Sequence, residues 1–310
     1  MGNDGLSDRS VLVTGGAGFI GSHLTNALVT DNDVTVYDAL TTGARGSVPD
    51  EADLTEADIR NESTLEQAVA DADLVFHEAA LVSVAQSIEE PRESHTTTAT
   101  GTLNVLEAAR KHDTRVVVAS SAAVYGQPTD TPIDEAQSLD PTSPYGIDKL
   151  TADHYTRLYS DLYGLDTVAL RYFNVYGPGQ TGGDYAGVIT VFIEQALSDE
   201  PITVHGDGQQ TRDFIFIDDV VDANLKAART GHVGEAYNIG TGESISIREL
   251  AELICDITDS NSEIIHTEPR DGDIDHSKAD ITRIQSDLGF DPTVSIREGL
   301  ERTIAWYDSS

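Results

Sequence analysis

Positive charge is scarce in this 310-residue chain: 19 Lys and Arg face 54 Asp and Glu, a formal net charge of −35 at pH 7. Only four of the cations are lysines: Lys111, Lys149, Lys226 and Lys278. Such a balance excludes a duplex nucleic-acid binder, because phosphates require basic counter-surfaces. It also argues against docking on anionic lipid. Cysteine is nearly absent. Cys255 stands alone, so no intrachain disulfide can form, a cysteine-rich metal site is excluded, and a reducing cytoplasm is expected. No apolar run reaches the length that spans a bilayer, so no membrane association is expected. The segment 1–9 lacks a basic stretch and an apolar stretch, so no signal peptide is expected. Fixed-period repeats and low-complexity tracts are missing as well. The nine histidines are scattered, and the acidic run Asp271, Asp273 and Asp275 lacks the remaining ligands of a calcium loop. No specific metal is expected.

What is present is a packable chain. Hydrophobic residues make up 39% of it, which separates it from disordered acidic segments. Few lysines among many aspartates resemble the proteins of salt-loving microbes, where dense salt screens acidic self-repulsion. We therefore expect a halophilic protein.

Short apolar runs alternate with helical patterns. Strands are expected at Ser10–Gly15, Val34–Asp38, Asp73–Ala79, Arg115–Ser121 and Thr167–Tyr172. Helices are expected at Phe19–Val29, at Gly101–His112 and from Pro144 to Tyr163, the last capped by Gly164. The strands are continuously apolar rather than alternating, as in parallel sheets covered on both faces. Strand–helix alternation predicts an α/β fold, a doubly wound parallel sheet of the Rossmann type. A loop with Pro178, Gly179, Gly182 and Gly183 changes the rhythm. Shorter strands follow at Ile202–His205, Phe214–Ile217 and Glu263–Thr267. The expected division is a dinucleotide-binding domain over residues 1–175 and a smaller α/β substrate domain over 176–310, with about 207–240 interwoven into the first.

The loop Thr14-Gly15-Gly16-Ala17-Gly18-Phe19-Ile20-Gly21 joins the first strand to the first helix. Gly15 suits the tight turn, Gly18 the close approach of backbone to a pyrophosphate, and Gly21 the packing of helix on strand. The helix N-terminus offers free N–H groups to phosphate. Asp38 ends the second strand 17 residues after Gly21. A carboxylate there accepts from the adenosine ribose hydroxyls and repels a 2′-phosphate, favouring NAD over NADP. Asp58-Ile59 follows a further strand expected between Asp38 and Asp58, where the carboxylate could hold an adenine amino group and Ile59 could pack on the ring.

Tyr145 and Lys149 lie i, i+4 on one helical face. Ser121 ends a strand 24 residues before Tyr145. A free phenol titrates near 10, so acting as a base at neutral pH requires about 4 kcal/mol of differential stabilisation. Lys149 and an oxidised nicotinamide are the candidate sources.

The glycine loop, Ser121 and Tyr145-x-x-x-Lys149, in this order, resemble the extended short-chain dehydrogenase/reductase superfamily. More narrowly, the chain resembles NAD-dependent nucleotide-sugar epimerases of the UDP-glucose 4-epimerase type. Supporting strings are His77-Glu78-Ala79-Ala80, Ser120-Ser121-Ala122-Ala123-Val124-Tyr125-Gly126, Leu170-Arg171-Tyr172-Phe173-Asn174-Val175-Tyr176-Gly177 and Arg212-Asp213-Phe214-Ile215-Phe216-Ile217-Asp218. The resemblance implies that Tyr145 is the base for the sugar 4-hydroxyl, that Lys149 holds the nicotinamide ribose and lowers the Tyr145 pKa, and that Ser121 bonds O4. It implies a transient 4-keto sugar that returns with C4 inverted. It also implies cofactor contacts at Phe19, Ile20, Ala79, Ala80 and Tyr172, and substrate contacts at Asn174, Val204, His205, Arg212 and Arg270.

Related dehydratases carry an Asp-Glu pair where this chain has Ala122-Ala123, and decarboxylases usually carry an acid in this stretch. Epimerisation is therefore favoured over both, and an intact Ser121, Tyr145 and Lys149 set speaks against a silent NAD-binding regulator. Ser277 falls where the family gates its sugar pocket; a small residue there leaves room for a 2-acetamido group. Departures from the family are Thr97, Thr98 and Val82. A homodimer is implied, pairing the helices at Gly101–His112 and Gly146–Tyr163, with Leu150, His154, Leu158 and Leu162 as a stripe.

Overall fold

A computed structural model describes residues 6–180, 187–270 and 272–309; Gly182, Gly183 and Asp271 lie outside them. The first half runs β1 (Ser10–Thr14), α1 (Phe19–Leu28), β2 (Asp33–Asp38), β3 (Asp53–Glu56), α2 (Glu62–Ala70), β4 (Leu74–His77), α3 (Val84–Glu89), α4 (Pro91–Ser94), α5 (Gly101–His112), β5 (Arg115–Ser121), α6 (Pro144–Tyr163) and β6 (Thr167–Tyr172). The second half runs β7 (Asn174–Tyr176), α7 (Val188–Leu197), β8 (Ile202–His205), β9 (Thr211–Arg212), β10 (Phe214–Phe216), α8 (Ile217–Ala227), β11 (Glu235–Ile239), β12 (Ile245–Ser246), α9 (Ile247–Thr258), β13 (Ile264–Thr267), α10 (Thr282–Leu288) and α11 (Ile296–Ser309).

Seven strands form one parallel sheet in the order β11-β6-β5-β4-β1-β2-β3. Side chains alternate across it. Val11 and Val13 join a core with Leu24 and Leu28 of α1 and Val220 and Ala223 of α8. Leu12, Val75, Val116 and Val118 point to the other face, where they meet Leu65, Val69, Val105 and Leu106 of α2 and α5. Burial on both faces explains the unbroken apolar runs, each Val or Leu contributing about 1.5–3 kcal/mol. The chain leaves β1 toward β2 and β3, then returns to β4 on the other side. The order thus reverses between β1 and β4, and open α/β sheets bind ligands at such a point, beyond the carboxyl ends of the strands.

The second half adds three two-stranded patches: β10 with β7, β12 with β9, and β13 with β8. Among the described residues no separate core supports them. The larger cluster runs from Leu6 through Ile202 and Leu250 to Ile304.

Several boundaries differ from the sequence reading for local reasons. β1 stops at Thr14 because Gly15 takes φ +71°. β4 spans only Leu74–His77. Ile217 starts α8 rather than ending β10, and Asp218 and Asp219 favour a helix in its first turn. Leu150 packs against the larger core, whereas Ile147, Leu158, Leu162 and Tyr163 are the exposed apolar residues of α6.

Candidate active site

The glycine loop separates three jobs by steric room. A Cβ on Gly15 would sit 2.6 Å from the Ala79 backbone nitrogen, and one on Gly21 would sit 2.2 Å from the Gly15 carbonyl oxygen. Both positions are closed to side chains by protein. Gly18 is more open, its nearest neighbour being the Gly15 oxygen at 3.2 Å. Gly18 is also the N-cap of α1 and brings no side-chain capping bond, so the first N–H groups of α1 remain for an anion. Phe19 and Ile20 open that helix, half-buried against the larger core. Asp38 ends β2, accepting from the amides of Ala17 at 3.0 Å and Leu40 at 2.8 Å. These amides fix its carboxylate beside the glycine loop. The glycine room, uncapped helix and adjacent carboxylate fit a dinucleotide.

Asp58 and Ile59 follow β3. Asp58 forms a two-pronged pair with Arg60, whose hydrogen bonds hold its carboxyl below the usual range. Ile59 is buried over Gly101, where any Cβ would meet its Cδ1 at 2.4 Å. The side chain of Ile59 is thus committed to the core.

Ser121, Tyr145 and Lys149 converge at the carboxyl end of β5. Helix α6 starts cleanly: Ser143 accepts from the Gly146 amide, Pro144 occupies the first turn, and Gly164 closes the far end at φ +70°. Gly146 lets α6 lie against the turn after Ser121, since a Cβ there would sit 2.9 Å from the Ala123 oxygen. Ser121 Oγ accepts from the Ala123 amide at 3.1 Å and is hydrogen-bonded to the Tyr145 phenol. The Tyr145 amide donates to Ser87 Oγ at 3.1 Å. Burial pushes the phenol up, and the Ser121 bond offsets part of this. The expected lowering of Tyr145 by Lys149 is not resolved in the protein alone, where burial dominates. A bound oxidised nicotinamide would add the missing positive charge.

Lys149 is buried and donates to the Ala119 carbonyl at 2.7 Å. Burial pulls its pKa down, and Glu78 opposes that. Glu78 is itself pushed up by burial, with Lys149 and a hydrogen bond from Tyr172 acting the other way. The Tyr172 hydroxyl donates to Glu78 Oε1 at 2.9 Å and meets Asn224. Ala79 and Ala80 continue from β4 past the glycine loop, and Thr98 Oγ1 accepts the next amide, Leu81, at 3.1 Å. Thr98 thereby holds this loop to the π-helical turn at His95–Thr100.

Sequence reasoning assigned no role to Glu78, or to three residues that hold the frame. Asp153, on α6, is buried with Arg171 of β6; their Nε–Oδ2 distance is 2.8 Å. Burial would raise the Asp153 carboxyl, but Arg171 and Arg157 win and lower it. Asp213 is fully buried and accepts from the amides of Thr241, Gly242 and Ala279. Its backbone oxygen holds Asn174 Nδ2 at 2.9 Å. Burial raises the Asp213 carboxyl, and these bonds offset it. A charged residue inside an apolar strand pattern is the signal that could have found Arg171 and Asp213.

The substrate candidates fall in two groups. His205 and Arg270 line a cavity of about 1010 Å³ with Gln210, Arg248 and Asp273. Arg212 pairs with Asp273 at its edge, and its Nη1 donates to the Thr211 carbonyl. Val204 is buried in the core, so only its backbone can face a ligand. Ser277 is buried and its amide donates to the Thr211 oxygen at 3.0 Å. Ser121, Tyr145, Lys149 and Asn174 do not line this cavity. Among the described residues no group of three metal-type ligands gathers.

Known proteins share this architecture. The family model for the NAD-dependent epimerase/dehydratase family matches residues 11–240. A protein of Methanocaldococcus jannaschii, provisionally named as a UDP-glucose 4-epimerase, is 41% identical over 300 residues, covering 96% of this chain and 97% of its own. The UDP-glucose 4-epimerase of Thermotoga maritima, solved with UDP-glucose, has 37% identity and a TM-score of 0.94 over 97% of this chain and 99% of that one. The UDP-N-acetylglucosamine 4-epimerase of Methanobrevibacter ruminantium, solved with UDP-N-acetylmuramic acid, has 36% identity and a TM-score of 0.94 over 98% and 99%.

Proposed function

The chain belongs to the NAD-dependent epimerase/dehydratase family, and on that premise we propose that it inverts C4 of a UDP-sugar through a transient 4-keto sugar. The observation that carries this is the convergence of Ser121, Tyr145 and Lys149 at the carboxyl end of β5, beside a turn, Ala122–Ala123, that holds no acid. Two methyl groups cannot supply the proton transfers that dehydration requires. NAD, held by the Gly15–Gly21 loop and Asp38, supplies a reversible hydride acceptor when bound. Tyr145 takes the proton of the sugar 4-hydroxyl, and Ser121 orients that oxygen. Lys149 contributes positive charge that favours phenolate. Arg212 and Arg270 match the diphosphate, because guanidinium forks onto phosphate oxygens. Incubation of pure protein with each UDP-hexose in high salt tests this. Epimers are expected; a 4-keto-6-deoxy or pentose product, or no turnover, overturns it.

Ser277 supports acceptance of both the UDP-glucose/UDP-galactose and the UDP-GlcNAc/UDP-GalNAc pairs. Ser277→Tyr should abolish turnover of the acetamido sugars and spare the hexoses; unchanged acetamido turnover removes the role of Ser277.

The proposed protein is a cytoplasmic homodimer working in dense salt. Ile147, Leu158, Leu162 and Tyr163 give α6 an exposed apolar stripe that a second copy would cover. Light scattering should return twice the chain mass, and the monomer mass for Leu162→Glu. Among the described residues no helix is long and apolar enough to cross a membrane. With a net charge of −35, raising salt should aid folding and substrate approach together; an activity optimum in dilute buffer contradicts this.

A further inference from the structure

Glu78 is an acid at the carboxyl edge of the sheet that the proposed chemistry leaves without a task. It is the first residue beyond β4, whose last residue, His77, stands opposite Val118 of β5. Its Oε1 accepts at 2.9 Å from the hydroxyl of Tyr172, the last residue of β6. In the sheet order β6-β5-β4 this contact bridges two strand spacings, about 10 Å. The carboxylate is thereby carried over the end of β5. There Lys149 donates to the Ala119 carbonyl and Ser121 is hydrogen-bonded to Tyr145.

The placement of this carboxylate is fixed from behind. Asn224 of α8 is fully buried, and its Nδ2 donates to the Val220 carbonyl at 2.9 Å and to the Tyr172 hydroxyl at 2.8 Å. With Asn224 as donor, the one hydroxyl hydrogen of Tyr172 goes to Glu78. Only one carboxylate oxygen is engaged: among the described residues Oε2 accepts no hydrogen bond, and Glu78 is half-buried. Among the described residues the charged group acting on Glu78 is Lys149 of α6, and each of the two favours the ionised form of the other.

A dinucleotide spans the switch point of such a sheet with one nucleoside on each side. Asp38 at the end of β2 marks the adenosine side, so the second nucleoside lies over β4 and β5. For NAD this is the half whose ring is positive when oxidised and neutral when reduced. We propose that Glu78 holds the bound cofactor toward its oxidised form. A fixed carboxylate in a partly desolvated crevice attracts the cationic ring and gains nothing from the neutral one. Without Glu78, the Lys149 cation would stand alone and repel a second positive charge. The inference rests on the NAD reading of the crevice and not on which sugar is turned over.

The test equilibrates the full chain with a mixture of NAD+ and NADH and no sugar, at about pH 8.5, where a carboxyl raised by burial is ionised. Unbound cofactor is removed, and the two bound forms are released and quantified by chromatography. Glu78→Gln keeps an acceptor for Tyr172 and loses only the charge. Its bound ratio of oxidised to reduced cofactor is expected about tenfold below that of the wild type, with the melting midpoint little changed. Glu78→Asp against Glu78→Asn makes the same comparison one methylene shorter, and replaces the first should Glu78→Gln fail to fold. A merely structural role would move the melting midpoint and leave the ratio alone. An unchanged ratio overturns the role of Glu78 even where sugars are epimerised, and a ratio shifted toward NADH supports it even where none is. A wild type that retains neither form overturns the NAD reading and this inference with it.

Discussion

Toward the proposed dinucleotide side, the crevice is shaped by backbone; toward the sugar-nucleotide side, it is shaped by charged side chains. The first is a turn where a Cβ on any of its three spaced glycines would fall 2.2 to 3.2 Å from a backbone carbonyl or amide, and it ends in a helix N-terminus with no side-chain cap. The second is a cavity between β8, β9 and β13, where Arg212 pairs with Asp273 and Arg270 stands exposed. Backbone geometry admits almost no substitution, whereas a charged side chain can be exchanged one contact at a time. The two sides should therefore fail differently: the first all at once, the second by degrees.

The largest effect is expected where the two sides meet. Tyr145→Phe should cut turnover by about 1,000-fold or more while NAD stays bound, because only the proton acceptor is lost. Product formation and bound-cofactor absorbance separate the two, and retained turnover removes Tyr145 as the base. Next come the glycines. Gly21→Ala should lose both NAD and thermal stability, since its Cβ has nowhere to go at 2.2 Å from a carbonyl oxygen. Gly18→Ala, with 3.2 Å of room, should keep the melting midpoint and lose only NAD affinity. Equal melting losses in both would erase the distinction between packing and ligand glycines. Arg270→Gln should act by degrees, raising KM for the UDP-sugar about tenfold with kcat little changed, as removal of one charge-assisted phosphate contact implies.

The smallest effect concerns His77, at the end of β4. Its ring is buried between Thr14 Oγ1 at 2.7 Å and Thr102 Oγ1 at 2.9 Å. Burial, with Lys149 adding to it, pulls its pKa down to about 3. Between about 6.5 and that value the unfolded chain binds a proton that the folded chain refuses, so stability falls as pH drops through this window. His77→Asn should flatten that slope in denaturant titrations at several pH values. An unchanged slope would assign acid sensitivity to carboxylates such as Asp153, whose lowered pKa acts in the same direction.

The legibility of the sequence follows the same line. Unbroken apolar runs such as Val116–Val118 announce strands buried on both faces, and the glycine loop announces its own turn. Tyr145 and Lys149 share a helical face, so spacing alone places them together. Two-residue strands such as β9 and β12 leave no periodic signal, because they are held by tertiary contacts and not by pattern. Leu150 and Leu158 look alike in a helical stripe, yet one turns inward and the other outward. The Asp153–Arg171 pair joins residues 18 apart across an element boundary, which only the fold brings together.

The edge strand β11 comes from residues 235–239, after the chain has passed through β7 to β10, yet it pairs with β6 along Glu235–Ile239. This gives the fold a kinetic order. Until about 240 residues have been made, β6 has no partner on that side, and its six buried residues form an apolar open edge. Long-range pairing of this kind is slow to form and exposed to aggregation meanwhile. A fragment ending near residue 175 would keep the glycine loop, Ser121, Tyr145 and Lys149 and still present a sticky, unfinished sheet. For such a fragment, solubility would fail before chemistry did.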